Sequence, residues 1–401
     1  MKEVYEAVLD AEQRLNNVIQ RMGLIHSDFF SLESGHDVYI KPENFQKTGA
    51  FKIRGAYNKI SRLTKEERSR GVIAASAGNH SQGVAYAVDL LGTSATIVMP
   101  AQTPLIKVNS TRDYGAEVIL FGETFDDAWH HALDLQKESG QVMVHPFNDL
   151  DIIAGQGTIG AESLSELPDA DVILVPVGGG GLISGIAAYA KMVAPRCRVV
   201  GVEPEGALCM KAALMQGQIV RLPAVQTVAD GVAVKEVGDL TLAICNQVVD
   251  EIISVTDYEI MDTFLMLLEK HKIVSENSGT LGLAALKKLG GNNLKVVSVL
   301  SGGNIDVVTM SAMINKGLSR RGRIFCFSVD LPDTPGQLVT ISKILAERRA
   351  NVIKLDHNQF MNLARFSHVQ LQVTVETSGH DHIKEIVKDL TDKGYGINQV
   401  Y

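Results

Sequence analysis

Three short segments hold residues whose types and spacing can do chemistry. Residues 43–56 read Glu-Asn-Phe-Gln-Lys-Thr-Gly-Ala-Phe-Lys-Ile-Arg-Gly-Ala, and Lys52 follows Phe51 where the pattern enters a helix. A lysine amine condenses with a carbonyl group and acts as a base once burial lowers its pKa; alone, such a lysine is an ordinary surface charge. Residues 76–85 read Ser-Ala-Gly-Asn-His-Ser-Gln-Gly-Val-Ala, placing Ser76, Ala77, Gly78, Asn79 and His80 between an apolar strand and a helix start. By itself that segment is a plain N-cap by Ser76 or Asn79. Gly178, Gly179, Gly180 and Gly181, with Leu182 after them, also join a strand to a helix. Without Cβ atoms, their N–H groups can approach phosphate oxygens at a helix N-terminus; a glycine run alone is equally a tight turn.

These residues need a frame, and short apolar runs alternate with helical ones from residue 72 onward. Strands are expected at Val72–Ala75, Ala95–Met99, Glu117–Phe121, Val172–Val177, Val199–Glu203 and Val296–Leu300. Helices are expected at 6–20, Gln82–Leu91, Thr103–Tyr114, Thr124–Glu138, Gly181–Val193 and Asp257–His271. This alternation predicts an α/β chain with parallel sheets covered on both faces. The Gly- and Arg-rich stretch Lys316–Arg323 reads as a linker. Beyond it come strand Ile324–Val329, a turn at Asp333–Gly336, helix Gln337–Arg348, strands Asn351–Asn358 and Ser367–Val375, helix His380–Leu390 and a strand near Tyr395–Val400. That βαββαβ order is ferredoxin-like.

Bulk properties narrow the class. A chain of 401 residues with 45% hydrophobic and 21% charged residues is globular and long enough for two or three domains. The net charge of −8, with no basic run, argues against nucleic acid or membrane as partner. Cys197, Cys209, Cys245 and Cys326 lack metal-ligand spacing and fit free thiols in a reducing cytoplasm. The N-terminus has no apolar signal region, and glycines and a proline interrupt the apolar stretch Val172–Ala190.

Together the Lys52, Asn79 and Gly178–Gly181 segments resemble the fold-type II pyridoxal-phosphate enzymes, specifically the threonine dehydratases (threonine ammonia-lyases), over most of residues 39–310. The resemblance implies a two-domain catalytic region over 1–320, its small subdomain about 41–145 inserted in a larger one. Pyridoxal 5′-phosphate is the implied cofactor. Lys52 would carry its aldehyde beside Phe51, and Gly178–Gly181 with Leu182 would hold its phosphate. Asn79 would contact the ring 3′-oxygen, Gly231 would lie near the cofactor, and Ser301 would face the ring nitrogen. Ser76–His80 would gather the substrate carboxylate. Residues 323–401 resemble an ACT domain, a small-ligand regulatory module, with Asp333, Gly336 and Asn351 as candidate contacts. Glu203 matches a residue that helps hold a cation in some relatives, but its further acidic partner falls near Cys209, and no metal is expected.

The implied reaction is β-elimination from L-threonine, or L-serine, to a 2-oxo acid and ammonia, in isoleucine biosynthesis under amino-acid control, in a cytoplasmic homodimer or homotetramer. The chain departs from the pattern at Ala50, at Glu276-Asn277-Ser278-Gly279 and at Gly23-Leu24-Ile25. Two alternatives stay open: a serine racemase of the same fold, disfavoured because Ala77 stands where racemases place a serine, and a catalytically silent amino-acid-binding regulatory protein.

Overall fold

Val72–Ala75, the strand ahead of Ser76, is buried at every position, so both faces of its sheet must be covered. It pairs in parallel with Ala95–Met99 and Val142–Met143, and Glu117–Leu120 completes a four-stranded sheet. Val172–Pro176, ahead of the glycines, is likewise buried throughout. It belongs to a six-stranded sheet in the order Ile25–His26, Asp37–Pro42, Lys295–Leu300, Val172–Pro176, Arg198–Pro204, Glu251–Val255. Only its Ile25–His26 edge is antiparallel. The computed structural model describes residues 1–358 and 368–401. They divide into two units, Met1–Asp306, which contains both parallel sheets, and Val307–Tyr401.

Within the first unit, the helix Leu150–Glu166 joins the two sheet systems. Asp149 starts it by accepting hydrogen bonds from the N–H groups of Asp151 and Ile152. It then passes against the Lys52–Ser61 helix at a glycine pair, where a Cβ on Gly155 would lie 2.6 Å from the Cα of Gly55. Beside that crossing is a closed group of charges. Arg54, fully buried, donates to both oxygens of Glu43 (2.8 and 2.7 Å), both oxygens of Glu162 (2.7 and 2.9 Å) and the hydroxyl of Thr158 (3.0 Å). Lys41, equally buried, pairs with Glu162 at 2.7 Å and donates to the Met22 carbonyl at 2.6 Å. Two buried cations thus meet two buried carboxylates, with the more exposed Glu166 3.8 Å from Lys41, and the guanidinium spends its donors in bidentate pairs.

Several expected elements shift. The N-terminal helix spans Lys2–Leu15, not 6–20; it buries Val4, Val8, Ala11 and Leu15, and Val18 and Ile19 lie beyond its end. The expected Asp257–His271 helix is α-helical to Met266 and then widens into a π turn over Leu267–His271. Lys316–Arg320, read as linker, is the end of a helix, Val307–Arg320.

The second unit is an antiparallel sheet ordered Asn351–Asn358, His368–Glu376, Ile324–Pro332, Ile397–Gln399. The helices Gln337–Glu347 and His380–Asp392 bury Ile341, Ile344, Ile386 and Leu390 against Phe327 and Val373. This is the ferredoxin-like arrangement. Ser367, the expected start of the third strand, lies outside the described residues.

Removing one partner from a buried ion group leaves its counter-charge unpaired. Arg54→Met should therefore lower the unfolding free energy of the first unit by about 3–5 kcal/mol, measured by urea denaturation. A loss below about 1 kcal/mol, the value of an exposed pair, would contradict the role given to this guanidinium.

Candidate active site

Lys52 opens its helix directly after Phe51. Its amine donates to the Pro146 carbonyl at 3.0 Å and lies 5.0 Å from the centre of the Phe51 ring. Burial pulls its pKa down to about 8, against the opposing pull of the Glu276 carboxylate. At pH 7 roughly one Lys52 in ten is then neutral, against about one in three thousand for an unshifted amine.

The Pro146 acceptor is itself fixed. His145 Nδ1 accepts from the N–H groups of Phe147 (3.2 Å) and Asn148 (2.8 Å), so its ring is neutral with the proton on Nε2. Burial holds His145 down to about 4, with the Lys52 charge acting in the same direction.

The Ser76–His80 segment crosses from its strand to a helix, Asn79–Leu91, that is packed on the lysine. A Cβ on Gly83 would stand 3.1 Å from the N atom of Ile53. Gly78 is the N-cap residue, and no side chain caps the helix; Ser76 instead accepts from the Gly78 N–H at 3.3 Å. The first-turn amides therefore form an anion site. The His80 ring is committed elsewhere: its Nε2–H donates to the Val144 carbonyl at 2.8 Å, and burial lowers its pKa to about 3. Asn79 donates from Nδ2 to Glu276 Oε1 at 2.8 Å. Glu276 is pushed up to about 7 by burial, which its bond from Asn79 only partly offsets.

The glycine run supplies a second uncapped helix start. Gly180, at φ +95°, is the N-cap of Gly181–Val193, again without a side-chain cap. At Gly179 a Cβ would come within 2.3 Å of the Phe147 ring, next to the carbonyl that holds Lys52. Leu182 is buried in the core behind. Gly231 completes this side, since a Cβ there would lie 2.8 Å from Ser278 Oγ and 3.3 Å from Glu276 Oε1. Ser301 is buried, and its carbonyl accepts from the Phe51 N–H at 3.1 Å. The structure thus brings Phe51, Lys52, Asn79, Gly178–Gly181, Gly231 and Ser301 around one point. An amine of lowered pKa there stands between two uncapped helix N-termini. That donor set fits a group with an aldehyde and a phosphate: carbonyl-reactive nitrogen at one end, bare amides without Cβ at the other.

A model for "Pyridoxal-phosphate dependent enzyme" matches residues 15–302. The chain belongs to this family. It is also similar to an L-threonine ammonia-lyase of Thermotoga maritima, 47% identical over 98% of this chain and 99% of that protein. Among solved structures it resembles the processed form of threonine deaminase isoform 2 from Solanum lycopersicum, at TM-score 0.75 and 38% identity over 78% of this chain and 88% of that one. Maize serine racemase superposes at TM-score 0.74, with 36% identity over 79% and 98% of the two chains. The protein is a pyridoxal-phosphate enzyme.

Glu203 accepts from the N–H groups of Met210 (2.7 Å) and Lys211 (2.9 Å), and so starts the helix Cys209–Gln216. Among the described residues no cluster of three or more His, Cys, Asp or Glu forms a metal site, and no helix is long and apolar enough to cross a membrane. In the second unit Asp333 and Gly336 line a surface cavity of about 300 Å³ with Leu331, Leu338, His357 and Leu371. Asn351 does not join them; it starts the strand whose His357 does.

Sequence reading missed the Pro146 carbonyl, His145 and the carboxylate of Glu276. Glu276 stood out only as part of a departure from the family pattern, and a carbonyl acceptor has no side-chain signature.

Capture of the cofactor by the stripped enzyme needs the neutral Lys52 amine. Its rate should climb with pH and level off above about 8. Glu276→Gln removes the charge that favours the ammonium, so the midpoint should move to lower pH. A stopped-flow absorbance series checks both, and a climb continuing past pH 10 would show an unshifted amine.

Proposed function

We propose that the protein is a threonine ammonia-lyase, converting L-threonine to 2-oxobutanoate and ammonia and L-serine to pyruvate. The observation that carries this is the Lys52 amine, lowered to about 8 and set between two uncapped helix starts. Full-length similarity to an L-threonine ammonia-lyase supports the same reading. When bound, pyridoxal phosphate supplies an aldehyde for an amino group and a ring that draws electrons from the attached Cα.

The chain's own residues do the rest. Amides of Gly178–Gly181 hold the phosphate, and those at the start of Asn79–Leu91 hold the substrate carboxylate. Asn79 would meet the ring oxygen. Ser301, a neutral hydroxyl, would donate to an unprotonated ring nitrogen, which would favour loss of a β-substituent over transamination. Lys52 Nζ takes the Cα proton. The β-hydroxyl leaves with a proton as water, and hydrolysis of the released enamine gives the 2-oxo acid and ammonia. Serine racemization would need a second acid–base on the opposite face, and the methyl of Ala77 has no proton to give.

The second unit, in this reading, is an ACT-like module that binds isoleucine, valine or serine in the cavity at Asp333 and Gly336 and tunes a cytoplasmic homodimer or homotetramer serving isoleucine synthesis. Ending the chain at Asp306 should leave cofactor binding and basal activity but abolish any effector response. Calorimetry and activity titrations of both lengths check this, and equal responses would leave the unit a scaffold.

The central assay is 2-oxo acid formation from L-threonine and L-serine. Lys52→Ala should fold yet lose at least about 10³-fold in kcat, because one side chain serves as both cofactor anchor and base. Retention of most of the activity would refute the assignment.

A further inference from the structure

Asn79 is useful to a ring oxygen only if its amide nitrogen, not its oxygen, faces the cofactor. A primary amide has two nearly isosteric orientations, and its partners choose between them. Two partners touch it here. Asn304 Nδ2 donates to Asn79 Oδ1 at 2.8 Å and to the Thr48 carbonyl at 2.8 Å. A backbone carbonyl only accepts, so Thr48 compels Asn304 to present its nitrogen, and Asn304 in turn compels Asn79 to present its oxygen. At the other end Asn79 Nδ2 donates one hydrogen to Glu276 Oε1 at 2.8 Å. One Nδ2 hydrogen then remains.

The chain is built to seat Asn304. Gly49, at φ +72°, has no Cβ, and one placed there would stand 2.2 Å from Asn304 Oδ1. The Gly303 N–H donates to the Gly49 carbonyl at 2.8 Å. The Thr48–Phe51 and Ser301–Asn304 segments are thereby joined at both ends, since the Phe51 N–H also reaches the Ser301 carbonyl.

We infer that Asn304 is a positioning residue: through Thr48 on one side and Asn79 on the other, it fixes the Asn79 amide so that its remaining N–H points to the 3′-oxygen of the cofactor. The inference rests on the reading of Asn79 given above. A hydrogen bond to that oxygen favours the tautomer in which the oxygen is negative, which absorbs in the visible. Without the bond the proton moves to the oxygen and absorption moves to the near ultraviolet.

The test uses full-length holoenzyme carrying Asn304→Ala or Asn304→Ser. Serine keeps one donor for Thr48 but cannot also direct Asn79. Both variants should bind one cofactor per chain, with the ratio of near-ultraviolet to visible absorbance raised about tenfold or more. kcat should fall about 10- to 100-fold while KM for threonine changes less than about threefold. A spectrum identical to that of the unsubstituted enzyme in both variants overturns the inference. So does joint loss of cofactor and folding in both, which would make Asn304 a support of the fold alone. If the unsubstituted enzyme shows no visible band, the reading of Lys52 and Asn79 fails instead.

Discussion

A guanidinium with no access to water holds the lysine helix in place. Arg54 lies two residues beyond Lys52, and its five donors are shared among Glu43, Glu162 and Thr158. Glu43 belongs to the segment leading into the lysine helix, and Glu162 to the long helix that runs against both sheet systems. Lys41 adds the second cation, so the buried group is electrically closed. Along the same crossing the Gly55 N–H donates to Gln156 Oε1 at 3.2 Å and Asn58 Nδ2 to the Asp151 carbonyl at 2.7 Å, so polar contacts fix its register. Moving the helix by one residue would take Lys52 out of reach of Pro146.

That fixed helix makes the electrostatics of the site possible. Burial favours the neutral amine of Lys52 and the neutral acid of Glu276, while their mutual attraction favours the charged pair. The balance brings both pKa values near neutral pH, about 8 for Lys52 and about 7 for Glu276, where a proton can be held or given up with little driving force. The two histidines nearby remain uncharged, each with its tautomer fixed by the backbone, and so add no competing cation. Two helix N-termini then provide the positive potential that anionic groups need without placing another titrating side chain in the site.

Much of this was legible in the sequence because strongly apolar strands announce a parallel sheet. Val72–Ala75, Ala95–Met99 and the Gly181–Val193 helix stand where the pattern put them. The three chemistry-bearing segments follow strands or open helices, so the fold gathers them at one point. The long helix Leu150–Glu166 was not legible. Gly155, Gly157 and Gly160 depress its intrinsic propensity, and its burial on nearly all sides erases the amphipathic stripe that would mark it. Tertiary contact, not local preference, makes it a helix. The Arg54 group was hidden for a related reason: four charges spread over residues 41–162 look solvated until the fold encloses them. Asn351 was grouped with Asp333 and Gly336 by its place at a strand start, but the strand carries His357, not Asn351, to the cavity those two residues line.

Everything in the site turns on which amine carries the cofactor. The direct measurement is borohydride reduction of the holoenzyme followed by peptide mapping by mass spectrometry. The account predicts the reduced cofactor on a single peptide, attached at Lys52. Attachment at Lys41, Lys107 or any other lysine, or a reduced protein without covalent cofactor, would contradict it.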